Sequence, residues 1–131
     1  MATGRDRVVL QNRGAAARRS GIPFTVDIDA FPNSPAVCPC CGVRMRRCEA
    51  RRIAPSLDRL VPALGYVDGN VLWVCWLCNT TKSNHTLAEL YRVADFYHEE
   101  YKRRGIPCPT RGAENEDTRP REQDALDPWG F

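Results

Sequence analysis

Residues 55–83 read PSLDRLVPALGYVDGNVLWVCWLCNTTKS, and this stretch decides the fold. Pro55–Val61 and Asn70–Cys75 are short runs rich in branched and aromatic residues, a pattern that predicts two strands. The connection Pro62–Gly69 is dense in turn formers, so the two strands are expected to pair as a β-hairpin with a long loop. At Cys75 the pattern changes. Cys75–Ser83 predicts the start of a helix whose first turn carries Cys75 and Cys78 in C-x-x-C spacing.

Upstream, Cys38 and Cys41 repeat that spacing inside VCPCCGV, residues 37–43. Each pair can turn two thiolates toward one metal from a tight turn, and two pairs supply the four sulfurs of a closed tetrahedral zinc site. Gly42 allows the positive φ that such a knuckle needs. Iron–sulfur ligation also uses four cysteines, but knuckle spacing favours zinc. Knuckle, hairpin and helix, in that order, predict a small α+β, zinc-stabilised treble-clef fold. Cys40, Cys48 and Cys108 are left as free thiols. A structural zinc contributes roughly 10–16 kcal/mol of apparent binding free energy that couples to folding, so the metal-free chain is expected to fold poorly.

On either side of this core the signals are helical. Residues 5–20 predict an N-terminal helix with a weak apolar stripe at Val8, Val9, Ala15 and Ala16, which Gly14 threatens to split and Gly21 stops. Phe24–Val26 predicts a short strand or extended segment, and Arg44–Cys48 a strand. Thr86–Arg104 carries Leu87, Leu90, Tyr91, Ala94, Tyr97 and Tyr101 at helical spacing; Thr86 with Glu89 forms a capping box, and Gly105 and Pro107 end the helix. The expected organisation is a basic N-terminal helix over 1–23, a zinc-bound domain over 24–106 and an acidic, disordered tail over 107–131.

Composition narrows the class. The chain has 131 residues, 43% hydrophobic, with 8% aromatic and ten prolines, which suits one small domain with extensions. Residues 1–110 hold 16 basic and 10 acidic side chains, a net of +6, whereas 111–131 hold 3 and 6, a net of −3. A basic body of that kind suits a polyanion such as nucleic acid. No apolar run approaches the roughly 20 residues of a membrane span, and the polar start Met1–Leu10 predicts no secretory leader. Seven cysteines, an odd number, point to metal thiolates in a reducing, intracellular compartment rather than to a disulfide framework.

The run 55–83, together with ARRSGIPFTVDIDAF (17–31) and TLAELYRVADFY (86–97), resembles the HNH endonucleases, the ββα-metal or His-Me finger nucleases, and is closest to the phage-type members with a knuckle before the hairpin. The resemblance covers about residues 15–100. It rests on the L-D-R strand, the G-Y-x-x-G-N turn and the C-x-x-C-N-x-x-K helix start. It implies a metal-dependent DNA endonuclease of phage origin, acting in the cytoplasm of a bacterial host alongside packaging or recombination proteins.

The same resemblance implies the site. Asp58 on the strand and Asn79 on the helix would share one magnesium or manganese ion, since magnesium takes only one or two protein ligands and keeps its waters. Asn70 would brace the hairpin loop. Lys82, with the cluster Arg44, Arg46, Arg47, Arg51 and Arg52, would contact DNA phosphates. The chain departs from the family after Asp58, where the usual general-base histidine is replaced by Arg59. A guanidinium stays protonated and cannot take a proton near neutral pH, so Arg59 would instead clamp phosphate. His85 is the nearby candidate base, whereas His98 sits on the long helix among acids. Trp73 is expected in the hairpin core, and neither it nor Trp76 is needed for stacking. The competing expectation is a zinc-bound DNA- or protein-binding module that has lost catalysis with its histidine. A redox or metal-storage protein would use the cysteines but leave the basic body unexplained.

Overall fold

A computed structural model describes residues 1–47 and 51–109. Helix α1 spans Gly4–Arg19, with Asp6 in its first turn and Arg18 and Arg19 in its last, each sign matched to the helix dipole. Gly14 does not split it. A Cβ there would lie 3.2 Å from the Phe24 ring, so the glycine lets that ring lie against the helix. The buried face is Leu10, Gly14 and Ala17, with Val9 packed against the same core, while Val8 of the expected stripe is exposed.

After α1 the chain runs alongside the loop of the hairpin. Tyr66 N–H donates to the Pro23 carbonyl and Thr25 N–H to the Tyr66 carbonyl, both at 2.8 Å, so Phe24 forms a single parallel bridge with Tyr66 and no strand. Gly65, at φ +77°, is required here: a Cβ would meet the Pro23 carbonyl at 2.8 Å. The predicted strand at 44–48 is likewise reduced to one antiparallel bridge, Val37 with Arg44, which closes the turn holding Cys38 and Cys41. Cys48 lies outside the described residues.

The hairpin forms as read. β1 (Pro55–Arg59) pairs antiparallel with β2 (Val71–Cys75), placing Leu57 opposite Trp73 and Asp58 opposite Leu72. Short 3-10 turns at Arg51–Ile53 and Pro62–Leu64 flank β1. Because successive side chains alternate faces, Leu57 enters a core with Leu10, Ala17, Val26, Tyr66 and Trp73 while Ser56 and Asp58 look the other way. Trp73 is buried and donates its indole N–H to the Pro32 carbonyl at 2.9 Å. α1 therefore shares one apolar core with the hairpin. A second cluster, Cys38, Met45, Val74 and Cys75, forms around the cysteines.

α2 (Trp76–Lys82) follows β2 directly, with Cys75 as its N-cap. Ser83 then turns the chain at φ +50°, a conformation costly for a residue with a Cβ. α3 (Leu87–Arg104) starts at the expected capping box, with both Thr86–Glu89 hydrogen bonds present, and ends at Gly105 in the left-handed region. None of its residues is buried: Leu87, Tyr91, Phe96 and Tyr97 are all more than half exposed. Beyond it Cys108 turns back, its thiol donating to the His98 carbonyl at 3.5 Å. Residues 110–131, including most of the tail expected to be disordered, lie outside the described residues. Among the described residues no helix is long and apolar enough to cross a membrane.

Candidate functional site

The four cysteines singled out by spacing meet in space. The sulfurs of Cys38, Cys41, Cys75 and Cys78 all lie within 4.8 Å of one another, and Cys41 and Cys75 are 3.6 Å apart. A tetrahedral zinc with Zn–S bonds near 2.3 Å needs sulfurs about 3.8 Å apart, so the donor set fits that ion. Backbone amides are aimed at the sulfurs: Cys75 N–H at Cys38 Sγ (3.2 Å), Val43 N–H at Cys41 Sγ (3.5 Å) and Cys78 N–H at Cys75 Sγ (3.4 Å). Such bonds favour thiolate over thiol. The hydrogen bond with Cys78 and burial push the Cys75 thiol up; burial, foremost, also raises Cys41. Four like groups crowded together resist ionising unless a cation lies among them. Cys40 remains outside the quartet but close to it, its thiol pushed up to about 11 by burial and by Cys78.

The quartet fixes the start of α2, and α2 carries the next residues of interest. Asn79, immediately after Cys78, donates its amide hydrogens to Ser56 Oγ (2.7 Å) and to the Leu57 carbonyl (3.2 Å). With the nitrogen committed to β1, the oxygen is the end of Asn79 that can ligate a cation. Lys82, one turn on, points at the same strand, with Nζ 3.2 Å from Asp58 Oδ1 and 2.5 Å from the Arg59 carbonyl. Asp58 is only 6% exposed. Burial pushes its carboxyl above the usual carboxylate range, against the pull of the Lys82 ammonium.

Asp58 and Asn79 face one polar cavity of about 260 Å³, lined also by Ser56, Arg59 and Tyr66 together with Arg13 of α1; Lys82 is not part of its lining. Asp58 and Asn79, twenty-one positions apart in sequence, thus share one space. Arg59 is held by neutral acceptors, the Pro62 carbonyl at 3.1 Å and Asn84 Oδ1 at 2.6 Å, with its guanidinium 5.1 Å from the Tyr66 ring centroid. Asn70, 5% exposed, accepts from Val61 N–H (2.9 Å) and donates to the carbonyls of Val61 (3.0 Å) and Gly65 (2.7 Å). These bonds tie the hairpin loop closed.

The basic cluster does not stay together. Arg47 forms an ion pair with Asp6 at 2.5 Å, and Arg52 is buried with an Nε that finds no hydrogen-bond acceptor. Arg44, Arg46 and Arg51 remain on the surface. Lys82 is turned inward to Asp58 rather than outward to solvent. His85 lies beyond the cavity lining, its Nδ1 3.8 Å from Glu89 Oε2. Arg13, Ser56, Tyr66 and Asn84 were not singled out by sequence: nothing in the spacing of α1 distinguishes Arg13 from the other arginines of that helix. A larger apolar hollow of about 410 Å³ beside Ala94, Tyr97, Tyr101 and Cys108 holds none of these groups.

Fold and site define a small α+β protein with a four-cysteine cluster able to bind zinc and a polar, charged cavity beside it. No protein-family model matches the chain, and no curated protein matches it. Among solved structures it is similar to the rare-cutting HNH restriction endonuclease PacI, described for its mechanism of DNA perturbation, with 21% identity and a TM-score of 0.49 over 76% of this chain and 81% of that one. Likeness at that level does not transfer an activity between chains.

Proposed function

We propose that this protein is a divalent-metal-dependent DNA endonuclease of the HNH type, built on a treble-clef zinc scaffold. One observation carries the reading: a strand carboxylate, Asp58, and a helix carboxamide, Asn79, line the same polar cavity, and the cysteine cluster sets the start of the helix that brings the second to the first. A structural cluster that fixes the position of a cation ligand is the arrangement a small metal-dependent hydrolase requires.

The chain's own groups divide the work. Asp58, in its ionised form, and the Asn79 oxygen would hold one hydrated magnesium or manganese ion, which when bound supplies Lewis acidity toward the phosphate and the departing oxygen. Lys82 lowers the cost of keeping Asp58 ionised in its buried setting. Arg59, fixed by Pro62 and Asn84, takes the phosphate and the charge that builds on it. It supplies no base. Asn70 holds the loop that follows Arg59, so its contribution is geometric. DNA is the partner this reading names; phage packaging or recombination is the setting that the resemblance adds.

The test is nicking of supercoiled plasmid by zinc-loaded protein with magnesium or manganese, wild type against Asp58→Asn. Metal-dependent nicking that the variant lacks supports the proposal. A second reading has its own observation: Lys82 already occupies Asp58 Oδ1, and an arginine stands where the base belongs. If purified wild type binds DNA but never cuts it with either metal, the protein is a non-catalytic zinc-bound DNA module.

A further inference from the structure

The cavity holds one residue that the reaction outlined above does not use. Arg13 reaches it from α1, a helix that packs against β1. Its Nε is buried and has no hydrogen-bond partner, and among the described residues no carboxylate pairs with it. A guanidinium N–H that loses water without gaining an acceptor weakens the fold, so an arginine kept in that state needs a reason. Arg52 shares the property but lies on the 3-10 turn before β1, away from the cavity. Arg13 lies in the cavity wall.

The charges around Arg13 say what would satisfy it. Arg59 is held only by neutral oxygens and an aromatic face, and Lys82 and Asp58 already neutralise one another. Among the described residues, neither guanidinium in the cavity is hydrogen-bonded to a carboxylate; Asp58 acts on Arg59 only through space and is paired to Lys82. Guanidinium groups present paired N–H donors that match the oxygens of a phosphate.

Resting on the nuclease reading, we infer that Arg13, from α1, and Arg59, from β1, form a two-arginine subsite for a nucleic-acid phosphodiester. α1, the segment with the weakest sequence signal, is on this account part of the binding site as well as of the core. Arg13 binds and positions; it takes no part in bond breaking.

Binding can be separated from cutting. Zinc-loaded protein without added magnesium or manganese is titrated with a fluorescein-labelled DNA duplex across a salt series. The panel is wild type, Arg13→Gln, Arg13→Lys and Arg5→Gln, the last removing an exposed arginine of the same helix. Arg13→Gln is expected to weaken binding roughly five- to thirtyfold and to lower the slope of log affinity against log salt by about one. Arg13→Lys should recover part of the affinity, Arg5→Gln should lose little, and all should melt near the wild type. Wild-type affinity in Arg13→Gln overturns the subsite, as does equal loss in the Gln and Lys variants with a lowered melting temperature, or failure of the wild type to bind DNA. If the wild type cuts plasmid while Arg13→Gln binds normally, the subsite fails and the nuclease stands. If Arg13-dependent binding is found without cutting, the nuclease fails and the subsite stands.

Discussion

At the scale of single residues, the site charges the fold for what it holds. Asp58 is buried on β1, and burial outweighs the Lys82 ammonium in setting its titration. Its folded pKa lies above its unfolded one, so the folded state binds this proton more tightly. The carboxylate then weakens the fold at pH values above the folded pKa, and the penalty fades as pH falls through it. Asp58→Asn removes the charge and keeps the shape. It should unfold at the same or higher urea concentration than wild type at pH 7 without added divalent ion, with the difference shrinking on acidification, and it should not nick DNA. Denaturation curves taken from pH 7 down to about pH 5.5, where zinc stays bound, check this. A variant less stable than wild type at pH 7 would mean that the Lys82 pair stabilises the fold and that Asp58 is structural. The family resemblance carried by the L-D-R strand and the C-x-x-C-N helix start implied Asp58 and Asn79 as a pair. It could not show Lys82 turned inward, because that depends on the register of α2 over β1.

Among the secondary-structure elements, legibility follows the range of the forces that fix each one. The hairpin, α2 and α3 are specified by local pattern and caps, and they form within a residue or two of expectation. The segments at Phe24 and Arg44 fall short of strands because each finds a partner for one residue only, and that partner, Tyr66 or Val37, is set by the packing of loops. In α1 the buried Leu10, Gly14 and Ala17 recur at i, i+4 and i+7, but a glycine carries no apolar signal, and its place against Phe24 is a contact that helical periodicity does not encode. α3 shows the reverse case, strong local specification without burial. Replacing a Thr cap by Ala costs about 1 kcal/mol. Thr86→Ala should therefore fray α3, read as faster amide exchange in its first turn, while the midpoint of global unfolding moves by less than about 0.5 kcal/mol in equivalent stability. A full 1 kcal/mol loss in the global transition would show that α3 is coupled to the core through contacts made in solution.

For the whole molecule, two cores must hold together. One is apolar and joins α1 to the hairpin; the other is built around the cysteine sulfurs and joins the knuckle to β2 and α2. They are linked by β2 and by Asp6, which accepts from Ser34 N–H (2.8 Å) and its hydroxyl (2.9 Å) and pairs with Arg47, so the start of α1 is fastened beside the knuckle. No motif announces that link. The apolar core has its own packing to hold it without metal, whereas the sulfur-centred one would lose the bonds that join the knuckle to β2 and α2. Zinc removal should therefore strike the site first. The protein as purified should contain one zinc per chain by elemental analysis. A strong chelator should lower the melting temperature by well over 10 °C and broaden the transition, and zinc added back should restore it. Acid should act in the same direction, because protons compete for the thiolates: the metal-bound protein is expected to lose zinc and stability together as pH falls below about 5. Cys75→Ser should reproduce the chelated state without chelator and abolish DNA nicking, since the turn that presents Asn79 would no longer be anchored. A folded, zinc-free protein with an unchanged melting temperature would remove the scaffold on which the paired Asp58 and Asn79 depend.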